Sequence, residues 1–185
     1  MGHGRSAAYG SSLANLLIAA GYDVTQEYYV NDAGRQMAIL TLSVWLRYLE
    51  KFGKSIDFPT NGYRGEYIKT IANLAKTRFG DTLNITSEKL YNSVPLDEPK
   101  GGDKEKHVDG LITNMKMLLS NDSYQQLSEL TKNHVLDEIK ADCKASNIFF
   151  DNWFSEQSLF DSGEVDHAIN ALVEKQFTYE KDQAL

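Results

Sequence analysis

Four short stretches of this 185-residue sequence carry residue types and spacings that could do chemistry. His3 stands between Gly2 and Gly4, directly ahead of a helix-like run. A helix start offers free backbone N–H groups and the positive end of the helix dipole, so a Gly-His turn there suits a phosphate. A solvated histidine explains the same residues. "VNDAGRQ" (30–36) reads as a strand-to-helix turn, and open α/β sheets bind ligands beyond the carboxyl ends of their strands. Its plainer reading is that Asn31 or Asp32 caps a helix, a contribution of about 1 kcal/mol, while Gly34 eases the turn and Gln36 meets solvent. "GYRGEYI" (62–68) places Arg64 and Glu66 on either side of Gly65, as a turn and helix start would. In "DNWFSEQS" (151–158), Glu156 follows an aromatic strand, where it either enters a pocket or caps the next segment.

These residues need elements to hold them. From Arg5 to Ala20 the sequence favours helix, with Leu13, Leu16, Leu17 and Ala20 on one face and Gly21 as its cap. "YDVTQEYYV" (22–30) predicts a strand. A helix follows from the Asn31-Asp32 pair towards Gly53, with Met37, Leu40, Val44 and Tyr48 at helical spacing. Helix, strand, polar turn and helix form one slice of a parallel α/β sheet. Further helices are expected at 67–79, 108–119 and 122–143, a strand at 147–154 and a last helix at 163–175. The polar stretch 80–107 holds Pro95, Pro99 and Gly101-Gly102 and reads as a mobile surface loop.

The bulk composition narrows the classes. A net charge of −7 argues against a dedicated nucleic-acid-binding domain, though not against one local basic face. No apolar run approaches the roughly 18 residues that a membrane helix needs. Cys143 is the single cysteine, which excludes an internal disulfide and fits a reducing cytoplasm. No His/Cys cluster has zinc spacing. Trp45 and Trp153, in these acidic surroundings, read as packing residues rather than base-stacking platforms.

Taken together, "GHGRSAAYG", "LLIAAGYDVTQEYYVNDAGRQM", "GYRGEYI", "NIFFDNWFSE" and "FTYEKD" resemble, in order and approximate spacing, the bacterial type of arginyl-tRNA synthetase, a class I aminoacyl-tRNA synthetase. The resemblance spans nearly the whole chain. It implies an α/β fold, a partial Rossmann-like catalytic domain carrying a mostly helical insertion. Residues 1–55 would open that domain without its first strand, 56–145 would form the insertion with a polar loop near 80–107, and 146–185 would return to the domain, truncated. Gly2-His3 matches the second half of the family's His-x-Gly-His signature, with Met1 at its variable position. The signature's first histidine, the Lys-Met-Ser-Lys-Ser-type loop, the later arginine-pocket segment and the anticodon-binding domain are not among these residues, and Gln183 stands where the family usually has glycine. A fragment is therefore expected.

The resemblance implies ATP-dependent attachment of arginine to its tRNA through arginyl-adenylate, with Mg²⁺ accompanying ATP and no tightly bound cofactor. It makes Gly2 and His3 the ATP-binding turn, with His3 catalytic. It places Asp32 and Gln36 near the adenylate or the tRNA end, and Glu156 against the guanidinium of substrate arginine. Asp151, on the same strand, would hold backbone or share that role. The isolated chain is expected to be inactive, and an open sheet edge leaves self-association available to it. Two alternatives stand beside this reading. One is a non-catalytic helical module that binds tRNA or protein; the other is a different class I ligase or nucleotidyltransferase.

Overall fold

The computed structural model describes residues 2–179, with Gly2, His3 and Ser87 as backbone only. Packing divides the chain into two units: residues up to Ala33 together with those from Cys143 onward, and Gly34–Asp142.

The first unit holds the strands. Helix α1 (Gly2–Ala19) ends on Gly21, whose φ of +90° suits a residue without a side chain. The Gly21 amide donates to Ile18 O and the Tyr22 amide to Leu17 O, which closes the helix and satisfies two of its last carbonyls. β1 (Glu27–Val30) and β2 (Asn152–Ser155) pair in parallel, with Tyr28 opposite Trp153, Tyr29 opposite Phe154 and Val30 opposite Ser155. Both strands are shorter than the 22–30 and 147–154 expected. Valine and tyrosine content marks an extended backbone, but a strand also needs a partner, and pairing here covers only four residues on each side. Tyr28 stacks on Trp153 at 4.5 Å, and Phe150 meets both rings edge-on. Asp151 accepts the Gln26 amide at 2.8 Å and returns its own amide to Gln26 O. Two helices follow β2: α7 (Gln157–Asp161), which sequence periodicity did not reveal, and α8 (Glu164–Glu174).

The second unit is helical and has the core. α2 (Gly34–Glu50) is buried almost all round, from Ala38 and Ile39 through Leu42, Trp45 and Leu46 to Leu49. Its expected single face at Met37, Leu40, Val44 and Tyr48 is thus only part of what it buries, because neighbours surround it. α3 (Glu66–Phe79) packs on it through Ile68, Ile71, Ala72 and Ala75, a helical stripe, and stops at Gly80. α5 (Lys104–Leu118) starts four residues earlier than its apolar pattern predicts, since the Asp103 carboxylate caps it by accepting the Glu105 and Lys106 amides. α6 is Asn121–Ala145.

Residues 80–107, expected as a mobile loop, are more firmly held than their composition suggests. Leu83 and Leu90 are buried, α4 occupies Ser87–Leu90, and a 3-10 turn occupies Glu98–Lys100. Asp97 is buried and accepts from the Thr60 amide and hydroxyl and from the Glu98 amide. The backbone folds so tightly at Gly102 that a Cβ there would stand 1.8 Å from Leu96 O.

Candidate functional site

In the first unit, β1 and β2 run parallel, so their carboxyl ends lie side by side at Val30 and Ser155. Each strand then turns, β2 directly into α7. Residues projecting just past those ends are where an open α/β sheet presents its chemistry.

Glu156 is half-buried at this turn. Its amide donates to Val30 O at 3.0 Å, extending the ladder one residue beyond β2. Its carboxylate is near enough to Tyr29 to act on that phenol. Tyr29 is 52 % exposed, and its ring stacks on Phe154 with centroids 6.2 Å apart. Desolvation, together with the nearby carboxylates of Glu156 and Asp32, pushes the Tyr29 phenol above its ordinary value. The phenol is therefore a donor over the whole working pH range.

Asp32 is buried, at 8 % exposure, and tied to the same turn. Its carboxylate accepts the Ser155 hydroxyl at 3.0 and 2.8 Å and the Gln157 amide at 3.0 Å. An ionised carboxylate on a backbone amide makes a charge-assisted bond, stronger than a neutral pair. Asp32 thus grips the residues immediately before and after Glu156.

Gln36 belongs to the helical unit, exposed in the first turn of α2, and its Oε1 accepts the Tyr63 hydroxyl at 2.9 Å. Tyr63 is fixed in turn by its amide, which donates to the Ser43 hydroxyl at 2.9 Å. Beside it Arg35 pairs with Glu105 and Asp109, each at 2.7 Å. Arg64, from "GYRGEYI", donates to the Phe58 and Pro59 carbonyls and serves the turn. His3 and Gly2 open α1 as backbone, and the His3 side chain lies outside the described residues.

The helical unit also contains a cavity of about 420 Å³ lined by Asp57, Tyr91, Pro95, Asp97, Lys100 and His107. Burial pushes the Tyr91 phenol up to about 12. The polar groups of its wall bond mainly to protein: Lys100 pairs with Asp57, Tyr91 donates to Asp57 O, and His107 Nδ1 meets Pro95 O. Its chemistry reads as wall-building.

Both tryptophans are packing residues, Trp45 fully buried with its indole N–H on Leu83 O at 3.0 Å, and Trp153 within the Tyr28–Phe150 cluster. Tyr29 and Ser155 were not singled out from sequence. The available signal was alternation: in "EYYVND", Tyr29 falls on the opposite face from Tyr28 and Val30, and "FSE" repeats the arrangement across the sheet. Without the register, neither could be matched to Glu156.

Comparison with known proteins gives a consistent result. Residues 1–184 match the family described as tRNA synthetases class I (R), catalytic domain. An arginine–tRNA ligase of Legionella pneumophila (strain Paris) is 49% identical over 185 residues, covering 100% of this chain and 31% of its own length. One from Thioalkalivibrio sulfidiphilus is likewise 49% identical over 185 residues, covering 100% of this chain and 32% of its own. A crystal structure described as an arginyl-tRNA synthetase from Campylobacter jejuni aligns with a TM-score of 0.67 and 27% identity, over 98% of this chain and 32% of that one. The chain spans about a third of the length of the curated relatives that it matches.

Proposed function

The chain belongs to the catalytic-domain family of class I arginyl-tRNA synthetases, and from that premise we propose that it serves as part of an arginine–tRNA ligase acting in the cytoplasm. It has the family's Rossmann-like α/β fold in part, and we assign residues 56–145 to the helical insertion within it. The complete enzyme would take arginine and ATP, the latter as its magnesium complex. The arginine carboxylate attacks the α-phosphate, the bond to the β-phosphate breaks, and arginyl-adenylate and pyrophosphate result. The arginyl group then moves to the 3′ end of its tRNA, releasing AMP. Among the described residues no group of three His, Cys, Asp or Glu side chains is placed to hold a metal ion, and no step here is assigned to a protein-bound ion.

His3 and the amino end of α1 are assigned to the ATP phosphates, where donors aimed at the developing charge lower the barrier. Gln36 and Asp32 remain candidates for contact with the adenylate or the tRNA end. Glu156 is assigned to the substrate guanidinium. A guanidinium is a planar fork of donors that stays charged, and one carboxylate accepts two of its bonds in parallel. Lysine would make only a point contact, and citrulline would leave the carboxylate without its cation.

The observation that carries this reading is the position of Glu156, half-buried beyond the carboxyl end of β2 and alongside the end of β1. The test is Glu156→Gln in a full-length enzyme containing this segment. A large rise in arginine KM with ATP KM little changed is expected; unchanged arginine kinetics would remove Glu156 from the pocket. The 185-residue chain alone, about a third of its relatives in length, is expected to show no arginine-dependent pyrophosphate exchange. Exchange above a blank, abolished by His3→Ala, would contradict that.

A further inference from the structure

In the helical unit, the stretch 58–64 is tied down at four of its residues. The Thr60 amide and hydroxyl donate to the buried Asp97 carboxylate, and the Gly62 amide donates to Pro59 O. The Arg64 guanidinium closes on the Phe58 and Pro59 carbonyls. The Tyr63 amide donates to the Ser43 hydroxyl, which itself donates to Ile39 O at 2.7 Å within α2. Gly62 lies so close to Phe58 that a Cβ would stand 2.5 Å from its ring. Tyr63 therefore leaves a backbone with little freedom, and its ring packs against the helical core.

The hydroxyl at the end of that ring meets Gln36, 27 residues away in sequence, and donates to its Oε1 at 2.9 Å. An exposed Gln side chain samples many rotamers and must give up that freedom when a ligand binds. One already held by a fixed phenol has given it up beforehand. A primary amide carries an acceptor oxygen and two N–H donors on its nitrogen. With the oxygen engaged by Tyr63, the Nε2 donors are the end left for a ligand. We propose that Tyr63 is a positioning residue for Gln36, holding its amide so that Gln36 offers N–H donors to a phosphate, ribose or carbonyl oxygen of the ligand. This rests on the reading of Gln36 as a contact to the adenylate or the tRNA end, and it gives that contact a direction.

Gln36→Ala in the full-length enzyme identifies the ligand, by a raised ATP KM in arginine-dependent pyrophosphate exchange or a raised tRNA KM in aminoacylation. Tyr63→Phe keeps the ring and removes one hydroxyl. It should raise that same KM roughly fivefold, with arginine KM, kcat and the melting temperature unchanged. In a Gln36→Ala background it should add little, since two residues acting through one bond are non-additive. Gln36→Glu, whose carboxylate has no N–H to offer, should raise that KM at least as much as Gln36→Ala. If Gln36→Ala raises a KM and Tyr63→Phe does not, the positioning role is wrong while the contact stands. If Gln36→Ala moves neither KM, the contact reading fails and the positioning role goes with it. A Tyr63→Phe effect that persists in the Gln36→Ala background, or that comes with a lower melting temperature, would make the hydroxyl a purely structural bond. A Gln36→Glu enzyme less affected than Gln36→Ala would overturn the donor assignment.

Discussion

The two units of this chain treat their apolar residues in opposite ways. The helical unit gathers Leu42, Trp45, Leu46, Ile68, Leu111, Met115 and Leu127 into one core with each fully buried. In the strand-bearing unit the buried side chains among the described residues are Ala14, Val30, Asp32, Ala33 and Ile148. Its larger apolar groups lie outside: Tyr9, Leu13 and Leu16 on α1, and Ile169, Leu172 and Val173 on α8. Hydrophobic burial is the dominant favourable contribution to folding, at roughly 25 cal/mol per Å². The helical unit has realised it, and the strand-bearing unit has not. Yet the strand-bearing unit carries the candidate site, where Asp32 bonds to the residues on either side of Glu156. Local polar geometry can thus be laid down where little core exists to support it.

The largest expected effect lies in the helical core. Trp45→Ala removes a fully buried indole and leaves Leu83 O without its donor, which should cost about 3–5 kcal/mol. Urea titration followed by far-ultraviolet circular dichroism would measure it. A loss below 1 kcal/mol would mean that the two units differ less than their burial indicates.

A smaller effect is expected at Asp97, which tests whether anchors or composition govern residues 80–107. Burial opposes its ionisation, but hydrogen bonds from Thr60 and Glu98 and the nearby His107 outweigh this and hold the carboxyl below its ordinary value. A carboxyl depressed in the folded state stabilises fully above its unfolded pKa of about 3.9, and the contribution disappears as pH falls through the lower folded value. Asp97→Ala should therefore cost about 1–3 kcal/mol at pH 7, and the gap from the unmodified chain should shrink below about pH 4. Hydrogen exchange should show the Glu98 and Gly102 amides protected in the unmodified chain and fast in the variant. Equally fast exchange in both would return the stretch to a mobile loop.

How far the sequence disclosed all this depends on which interactions are local. α3 was legible almost to the residue, because its stripe and the stop at Gly80 are encoded within one segment. α5 began early because Asp103 sits inside a charged run that masks its capping role. β1 and β2 were placed but drawn too long, since strand ends are set by a partner more than 120 residues away in sequence. At the site, Asp32 and Glu156 were visible as residue types at the ends of strands, and Asp32 reads as a helix cap from sequence alone. Its actual bonds, to Ser155 and Gln157, are long-range and have no periodic signature. Ser155 escaped notice for the same reason.

The smallest effect is expected at Leu172. α8 is amphipathic: Val165, Ile169, Leu172 and Val173 fall on one side, with Asp166, His167, Asn170 and Glu174 on the other. In a packed protein such a stripe is buried, but here Ile169, Leu172 and Val173 keep 40%, 47% and 44% of their surface. Truncating a half-exposed side chain forfeits little transfer free energy and leaves no cavity, so Leu172→Ala should alter the stability of this chain by less than about 0.5 kcal/mol. The same substitution in a full-length enzyme provides the contrast. The curated relatives are about three times as long, which leaves ample chain to cover the stripe. Covered, Leu172 would lose burial on truncation and cost about 2 kcal/mol or more. Parallel urea titrations of the two proteins, each with and without the substitution, measure the difference directly. A cost above 1 kcal/mol in the short chain would show that α8 is already packed in solution, through self-association if the cost grows with protein concentration. A cost below 0.5 kcal/mol in both proteins would leave α8 a solvent-facing helix, and the contrast between the two units would belong to the fold itself.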